Sequence, residues 1–283
     1  MSASSRMHGR EPRKKKSSAD MNKRTPKLGQ HFLTSPWAAK KLAESVGVRD
    51  GETILEIGPG KGALTRELLM SGANVVAVET DTVLVKILEE TFAQEIAEGK
   101  LGLVSDDVRN VTPESLGLSR YVLAANIPYY ITGEIIRQFL ETNVQPRAMA
   151  LLVQKEVAQR IIAGNKKESI LSISVKVYGS PKIVSVVSRG NFSPPPSVDS
   201  AILLVDAISK DFFAGTNEGH FFKVVRAGFS SKRKFLANNL STLWDKPDVL
   251  AALSACGVSE KARAEDLTPA IWKKIAMQIS DPA

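Results

Sequence analysis

The sequence predicts an α/β protein in which helices cover both faces of a mostly parallel sheet, followed by a smaller, all-helical C-terminal part. Short apolar runs alternate with segments of helical periodicity up to about residue 207, a pattern typical of buried parallel strands. From His220 to Ala283 the pattern is helical, with no strand signal. Residues 210–219 are polar and contain glycine, so we expect a linker between the two parts.

The predicted elements follow one another in a regular order. Thr34 or Ser35 provides an N-cap for a helix over residues 36–46, whose apolar residues recur near the 3.6-residue period. The first strand, residues 53–57, ends in glycines and precedes a helix over residues 63–71. Further strands are predicted at residues 73–78, 101–104, 121–125, 148–153, 173–178 and 201–205, and further helices at residues 82–99 and 133–141.

Composition excludes several classes of protein. The 283 residues are 43% hydrophobic and 24% charged, which is typical of globular proteins, and no apolar run is long enough to span a membrane. The N-terminus lacks the apolar segment of a secretory signal. Cys256 is the one cysteine, and the three histidines are not spaced as zinc ligands. We expect a soluble, cytoplasmic protein without structural metal or membrane contact.

The net charge of +8 is concentrated at the N-terminus. Nine Lys/Arg and two acids within residues 1–27 account for +7 of it. One interpretation of this segment is an electrostatic arm that binds phosphates. The alternatives are a solvated tail, a start site upstream of a true start at Met21, or the remnant of an organelle transit peptide. We expect a disordered basic tail over residues 1–27, a catalytic domain over residues 28–207 and a helical domain over residues 208–283.

A glycine-rich loop lies between the first strand and the next helix. Gly58, Gly60 and Gly62 allow a tight turn and a close approach of a ligand to the backbone. Glu79, at the end of the second strand, suits the ribose diol of an adenosine cofactor. The loop alone does not distinguish NAD from another adenosine cofactor, and it is not a P-loop because no Gly-Lys-Ser/Thr follows.

Carboxylates at the strand ends favour a cationic adenosine cofactor. Glu56 ends the first strand beside the loop, where its charge opposes a pyrophosphate. Asp106 and Asp107 follow the third strand, and one of them suits an adenine amino group. Together with Glu79, acids therefore follow three successive strands. S-adenosylmethionine, which has a sulfonium, an amino acid head, a ribose and an adenine, fits these three positions.

The fourth strand ends in Asn126-Ile-Pro-Tyr129. An exocyclic adenine amine is a poor nucleophile because its lone pair is delocalised into the ring. An Asn oxygen and a backbone carbonyl fixed by Pro128, both accepting from the amine, favour the tetrahedral nitrogen that attacks a methyl group. The Tyr129 face suits stacking on the base. This segment therefore predicts methylation of an adenine N6 amine.

The chain resembles the rRNA adenine N6,N6-dimethyltransferase family of small-subunit rRNA. The resemblance extends over the chain except the tail and about the last forty residues. It implies a Rossmann-like, class I S-adenosylmethionine-dependent methyltransferase sheet and dimethylation of two adjacent adenosines in the 3′-terminal hairpin loop of 16S rRNA. The similar segments are the glycine loop and residues 29–33, 126–129, 153–160, 192–200, 226–229 and 232–240.

The resemblance also implies roles for individual residues. Phe192 lies opposite Tyr129 and the two rings sandwich the target adenine, and Asn126 bridges the cofactor and the target nitrogen. Three prolines after Phe192 suit a segment that holds an exposed aromatic in place. The implied catalytic residues are Asn126, Pro128, Tyr129 and Phe192, and the implied cofactor-binding residues are Gln30, His31, Leu33, Gly58, Gly60, Glu79, Asp107 and Asn126.

This chain departs from the family pattern at two positions. Many relatives have Asn at the positions of His31 and Tyr130, which affects one cofactor contact and the shape of the acceptor pocket. We prefer Asp107 to Asp106 as the adenine ligand because the family places a small or branched apolar residue after the acid, here Val108.

The target adenosine must be unstacked or flipped to reach a buried cofactor. A basic cluster in the helical part suits phosphate binding, and the implied partner is small-subunit rRNA within a pre-30S particle, bound by a monomer. The alternatives are a macrolide-resistance type methylase of large-subunit rRNA, a ribosome assembly factor of the same fold and, least favoured, an NAD-dependent oxidoreductase. The basic cluster comprises Arg226, Lys232, Arg233 and Lys234.

Overall fold

The structure is a computed structural model and describes residues 30–163 and 166–280. The described residues from His31 onward group into one compact unit. The basic tail predicted over residues 1–27 lies outside the described residues.

A seven-stranded sheet forms the centre of the compact unit, with the spatial order β4-β3-β2-β5-β6-β9-β7. Five neighbouring strands are parallel, and β9 is antiparallel to both β6 and β7. A separate antiparallel pair, β1 with β8, joins residues about 160 positions apart. The strands are β1 (Phe32–Leu33), β2 (Thr53–Ile57), β3 (Val75–Glu79), β4 (Leu101–Ser105), β5 (Tyr121–Asn126), β6 (Met149–Gln154), β7 (Ser180–Val187), β8 (Phe192–Ser193) and β9 (Ser200–Asp206).

Helices cover the sheet on both sides. The Ser35 side chain accepts a hydrogen bond from the Ala38 N–H and so caps the first helix, which ends at Gly47 in the left-handed region. The helices are α1 (Pro36–Val46), α2 (Ala63–Leu69), α3 (Thr82–Thr91), α4 (Ala93–Ala97), α5 (Thr132–Glu141), α6 (Lys155–Ile162), α7 (Ile170–Lys176), α8 (Glu218–Gly228), α9 (Leu236–Leu240), α10 (Lys246–Ala255) and α11 (Pro269–Gln278).

Two apolar cores form because successive strand residues face opposite sides of the sheet. Leu55 and Ile57 of β2 join the larger core, which includes α5–α7 and the helices after β9. Ile54 joins the smaller core under α1 and α2. Glu56 shares the face of Ile54, so its carboxylate lies on the side of the sheet with the smaller core.

The strand order places a crevice at the carboxyl end of β2. From β2 the chain builds β3 and β4 toward one edge, and β5 and β6 toward the other. In open α/β sheets, ligands bind at this reversal of strand order, outside the carboxyl ends of the strands. The glycine loop follows β2 and Asn126 ends β5, so both segments border the crevice.

The strands predicted over residues 53–57 and 201–205 and the one ending near Asn126 are confirmed, but the strand predicted over residues 173–178 is wrong. Those residues belong mostly to α7, which Ser169 begins with a capping box to Ser172. β-Branched residues favoured a strand, but the cap and the one-sided burial of Ser172, Ile173 and Val175 are helical. The edge strand is β7, where Pro181 is tolerated because an edge strand leaves N–H groups unpaired.

The helix predicted over residues 82–99 is interrupted at Phe92. That residue has non-helical dihedral angles and separates α3 from α4. Its buried ring packs where a Cβ atom on Gly62 would lie, at 2.4 Å. The interruption therefore lets an aromatic ring support the glycine loop.

The polar linker predicted over residues 210–219 contains an aromatic anchor. Phe213 is buried and contacts Phe221 and Tyr178 through its ring. Residues on both sides of position 207 contribute to the larger core. The domain boundary at residue 207 stays a prediction.

Within the described part of the chain, no helix combines the length and the apolar character that crossing a membrane requires.

Gly228 tests how tightly the C-terminal helices pack. A Cβ atom there would lie 2.3 Å from Trp272 and 2.8 Å from Leu236, both buried. We expect Gly228→Ala to lower the free energy of unfolding by about 1–3 kcal/mol through overpacking. The matched control is Gly133→Ala, which places a methyl group in open space on α5. Because Ala is more stable than Gly in a helix, this change should raise the free energy of unfolding by about 0.5–1 kcal/mol. Urea denaturation measures both values, and equal effects of the two changes would contradict this packing.

Candidate active site

The glycine loop has a backbone that side chains would obstruct. Gly58, Gly60 and Gly62 have φ angles of 66°, 60° and 79°, in the left-handed region. A Cβ atom on Gly60 would lie 3.1 Å from the Phe32 ring of β1. The loop therefore requires glycine for both conformation and space, which leaves its backbone accessible to a ligand.

Glu79 fixes the position of this loop. Its side chain is buried at the end of β3, and its two carboxylate oxygens accept from the backbone N–H groups of Gly60 and Asp81, each at 3.0 Å. These bonds hold the loop after β2 beside the end of β3. The carboxylate thus lies at the crevice, where the sequence analysis expected a ribose-binding acid.

Glu56 is an unpaired acid beneath the same crevice. Its side chain is fully buried, and neither carboxylate oxygen has a hydrogen-bond partner among the described residues. Burial raises the pKa of Glu56 to about 8; the nearby Thr65 opposes part of this rise, and the neighbouring Glu79 charge adds to it. A cationic ligand would favour the ionised carboxylate. The orphaned acid and the side-chain-free loop together fit an amino acid head and a sulfonium.

Asp106 and Asp107 lie after β4, at the neighbouring strand end. Asp107 accepts from the Arg109 backbone N–H and guanidinium, and these bonds hold the pKa of its carboxyl below the ordinary range. Asp106 accepts from the Asp107 N–H and the Asn110 side chain. The Arg109 bonds thus favour the ionised form of Asp107, and its selection as the adenine ligand stays a prediction.

Asn126 and Tyr129 are positioned by contacts from distant segments. The Asn126 side-chain amide donates to the His31 carbonyl at 3.1 Å, and the His31 ring donates through Nδ1 to the Pro194 carbonyl at 2.8 Å. The Tyr129 hydroxyl is 2.7 Å from Ser200 Oγ, and burial raises the pKa of Tyr129. The His31 and Tyr129 ring centroids are 5.7 Å apart. The structure therefore brings three of the predicted segments, residues 29–33, 126–129 and 192–200, together at one end of the sheet.

Ser200 was missed by the sequence analysis. It is fully buried at the start of β9, next to Asp199 in the segment that resembles the family. The signal was present in that resemblance, but no local pattern links residue 200 with residue 129. Its hydroxyl fixes the orientation of the Tyr129 ring.

Phe192 differs from the expectation of an exposed aromatic, which is wrong. Its side chain is 4% exposed and belongs to the smaller core, because β8 pairs with β1 and places Phe192 opposite Leu33. The position of Phe192 is therefore determined by packing in the smaller core, and not by the three prolines that were expected to hold its ring exposed. Leu33 is buried as well. Gln30 is the first described residue and lies outside the compact unit that begins at His31.

The predicted basic cluster is exposed. Arg226 lies in the last turn of α8. Lys232, Arg233 and Lys234 occupy the following loop, which Asn239 holds by donating to the Gly228 and Ser231 carbonyls. Lys232 also lines a cavity of about 1270 Å³ that reaches Gly133, near the start of α5. The cavity therefore extends from the basic loop to the helix that follows the Asn126–Tyr129 segment.

No group of three or more His, Cys, Asp or Glu side chains able to hold a metal ion occurs in residues 30–163 and 166–280.

The sheet order, the glycine loop at its switch point and the acids at successive strand ends define a class I S-adenosylmethionine-dependent methyltransferase. Residues 21–281 match the profile of the family described as "Ribosomal RNA adenine dimethylase". The chain belongs to that family, and its cofactor is S-adenosylmethionine.

Sequence relatives agree with this assignment. A protein of Dehalococcoides mccartyi named ribosomal RNA small subunit methyltransferase A is 41% identical over 255 residues, covering 89% of this chain and 87% of its own. A protein of Enterococcus faecalis with the same name is 35% identical, covering 85% of each chain.

Two solved structures are similar over nearly their whole length. A dimethyladenosine transferase from Plasmodium falciparum has a TM-score of 0.73 and 26% identity, covering 87% of this chain and 96% of its own. The 23S rRNA methyltransferase ErmE has a TM-score of 0.71 and 25% identity, covering 87% and 98%.

The raised pKa of Glu56 predicts an unusual pH dependence of stability. Because the folded state binds this proton more tightly than the unfolded state, the carboxyl destabilises the fold increasingly as pH rises from about 4.5 to about 8. We expect Glu56→Gln to gain stability over the wild type by roughly 3–5 kcal/mol between pH 5 and pH 9. Denaturant titrations across this range measure the difference.

Glu52→Gln is the matched control for that experiment. Its hydrogen bond from Arg147, with Nε 2.7 Å from Oε1, holds the pKa of Glu52 below the ordinary value. Its ion pair contributes fully above the unfolded pKa of about 4.5 and is lost only below it, so the stability of this variant relative to the wild type should be lower by a constant amount between pH 5 and pH 9. The same pH trend in both variants would contradict the burial argument for Glu56.

Proposed function

We propose that this protein transfers methyl groups to the N6 amines of two adjacent adenosines in the 3′-terminal hairpin loop of small-subunit rRNA, giving N6,N6-dimethyladenosine. The observation that supports this most directly is the placement of Asn126 and Tyr129 at the carboxyl end of β5, beside the glycine loop of β2. An amide oxygen, a proline-fixed backbone and an aromatic face adjoin a cofactor site there. These are the groups that an exocyclic adenine amine requires.

The residues of this chain would act on the amine through hydrogen bonds. The Asn126 amide nitrogen is committed to the His31 carbonyl, so the Asn126 oxygen is the group free to accept from the target N6–H. The rigid Pro128 backbone would present a carbonyl as the second acceptor. Two acceptors favour a tetrahedral nitrogen with an available lone pair. No strong general base is required, because an alkylated amine loses its proton readily.

When bound, S-adenosylmethionine supplies an electrophilic methyl group. We assign its binding to segments around the crevice. Glu79 would accept from the ribose hydroxyls, Asp107 from the adenine amine, and Glu56 would face the cationic part. The pre-strand segment and the loop would complete the site with Gln30, His31, Leu33, Gly58, Gly60 and Asn126.

The target adenine would stack on the Tyr129 ring. The bond from Tyr129 to Ser200 restricts rotation of that ring, which lowers the entropic cost of stacking. Phe192 would border the same pocket from β8, where it is buried opposite Leu33. A base in this pocket must leave its RNA stack, so the substrate adenosine is flipped or already unpaired.

The choice of small-subunit rRNA is supported by the relatives that carry that name at 35–41% identity. The large-subunit alternative is not favoured, because the 23S rRNA methyltransferase that resembles this chain is 25% identical. We propose a cytoplasmic monomer that acts on a pre-30S particle, since the basic loop and the crevice lie on one chain and suit a folded RNA surface.

A methyl-transfer assay tests the proposal. Small ribosomal subunits lacking this modification are incubated with the protein and labelled S-adenosylmethionine, and the digested RNA is analysed by mass spectrometry. We expect dimethyladenosine in the 3′-terminal hairpin. Label confined to large-subunit precursor RNA would select the resistance-type activity, and no label in either RNA would favour an assembly factor.

Asn126→Ala separates catalysis from cofactor binding. The change removes the acceptor for the target amine but leaves the glycine loop and Glu79 intact. We expect loss of methyl transfer with S-adenosylmethionine affinity within about tenfold, or ~1.4 kcal/mol, measured by calorimetry. Near-normal turnover would exclude the assigned role of Asn126.

The basic loop tests the RNA-binding assignment. Replacing Lys232, Arg233 and Lys234 with Ala should weaken hairpin RNA binding and reduce the slope of log affinity against log salt by about two to three, since each phosphate contact contributes roughly 0.7–0.9. A charge-matched control replaces three exposed lysines elsewhere. An equal loss of slope in the control would show that total charge, rather than this loop, binds the RNA. The control positions are Lys86, Lys246 and Lys261.

A further inference from the structure

Tyr130 was expected to affect the shape of the acceptor pocket, but its side chain faces solvent, and neither the packing of the fold nor the proposed chemistry uses it. Its side chain is 67% exposed although it directly follows Tyr129. Among the described residues, its ring belongs to none of the aromatic pairs, whereas Tyr129 pairs with His31. A large apolar ring at this exposure gains little from folding, so packing does not explain it.

Tyr129 and Tyr130 lie in a short 3-10 turn, Tyr129–Ile131, which points their side chains in different directions. Such a turn has about three residues per revolution, so consecutive side chains point about 120° apart. Tyr129 is directed inward by its bond to Ser200, and Tyr130 is directed outward to solvent. The two rings therefore cannot stack on one face of the same base. A base on Tyr130 must lie beside the base on Tyr129.

The charged groups near Tyr130 are one guanidinium and two carboxylates. Arg109 lies near Tyr130 and Glu134, and its guanidinium is paired with Asp107. A phosphate is therefore not the ligand that this surface favours. The exposed group it offers is the face of an aromatic ring, which binds nucleobases of any sequence by stacking.

RNA that delivers one base into a pocket provides a partner for such a ring. Withdrawal of the target adenosine removes the stacking neighbour of the adjacent base, at a cost of a few kcal/mol. An exposed ring one residue from the pocket would replace that neighbour. The adjacent base would then be held near the site while its neighbour reacts.

We propose that Tyr130 is a second stacking platform, which holds the nucleobase adjacent to the adenosine that occupies the Tyr129 pocket. The inference rests on the proposed function, because it requires an RNA substrate with a flipped adenosine. With two adjacent target adenosines, the base held on Tyr130 is the next substrate or the one just methylated. Tyr130 thereby favours modification of both adenosines in one encounter.

Steady-state methylation of the unmodified hairpin RNA tests this role. We expect Tyr130→Ala to raise KM for RNA about tenfold and to leave kcat for the first methyl transfer within about twofold, because stacking acts on binding of the neighbour. With limiting enzyme, the fraction of RNA carrying methyl groups on both adenosines should fall. The KM ratio should not change with salt, unlike that of the basic-loop variant.

Two variants serve as controls. Tyr130→Phe retains the ring and should behave like the wild type. Met70→Ala removes an exposed apolar side chain, 77% exposed, at the end of α2 away from the crevice, and should leave KM unchanged. A KM increase in Tyr130→Phe would assign the role to the hydroxyl and overturn the stacking proposal.

Fluorescence of 2-aminopurine gives a readout independent of turnover. The base analogue replaces either the target adenosine or its neighbour, and the RNA is bound in the presence of S-adenosylhomocysteine. In the wild-type complex the neighbouring analogue should be quenched by stacking, and in Tyr130→Ala it should become brighter, with no change for the target analogue. An unchanged neighbour signal, or a change confined to the target, would exclude the proposal. Absence of methyl transfer by the wild-type protein would instead contradict the proposed function itself.

Discussion

The hydrogen bonds from the Gly60 and Asp81 backbone N–H groups to the buried Glu79 carboxylate hold the crevice of this protein together. The strand order reverses at β2. These bonds join the loop after β2 to the end of the neighbouring strand β3. The loop can be held this closely because its glycines have left-handed backbone angles and no side chains that would collide with Phe32 or Phe92. The ligand site and the local fold therefore depend on the same contacts.

A second set of contacts closes the crevice from the other side. Pairing of β1 with β8 brings residues 31–33 and 192–194 together, and the His31 carbonyl then receives the Asn126 side chain. The His31 ring connects this pair of strands to Tyr129. The orientation of the Asn126–Tyr129 segment thus depends on residues on both sides of it in the chain, at separations of about 70 to 100 positions.

Burial of an acidic side chain at the crevice lowers the stability of the unliganded protein. A fully buried Glu56 without a hydrogen-bond partner destabilises the unliganded fold when it is ionised. Substitution by a neutral side chain would relieve this cost, and a cationic ligand would relieve it as well. The same group therefore opposes stability and favours a cationic cofactor, as expected where function rather than packing selects a residue.

Local sequence patterns were sufficient to predict most strands of the sheet and to single out the segments that border the crevice. The apolar runs, the glycine loop and the Asn126–Tyr129 segment are readable in sequence because each depends on neighbours within a few residues. Helix α7 was mistaken for a strand because its β-branched residues suit both structures, and only the capping box and packing decided between them. β7 was missed because its alternation is weak at an edge.

The sequence by itself determined the fold class, the place of the glycine loop after the first strand of the sheet, and the family to which the chain belongs. Tertiary structure decided that Phe192 is buried, that Ser200 orients Tyr129, and that Tyr130 faces solvent. It also decided which strands pair across 160 residues. The physical reason is that burial and ring orientation arise from contacts between segments distant in sequence, whereas turn chemistry and periodicity act within a few residues.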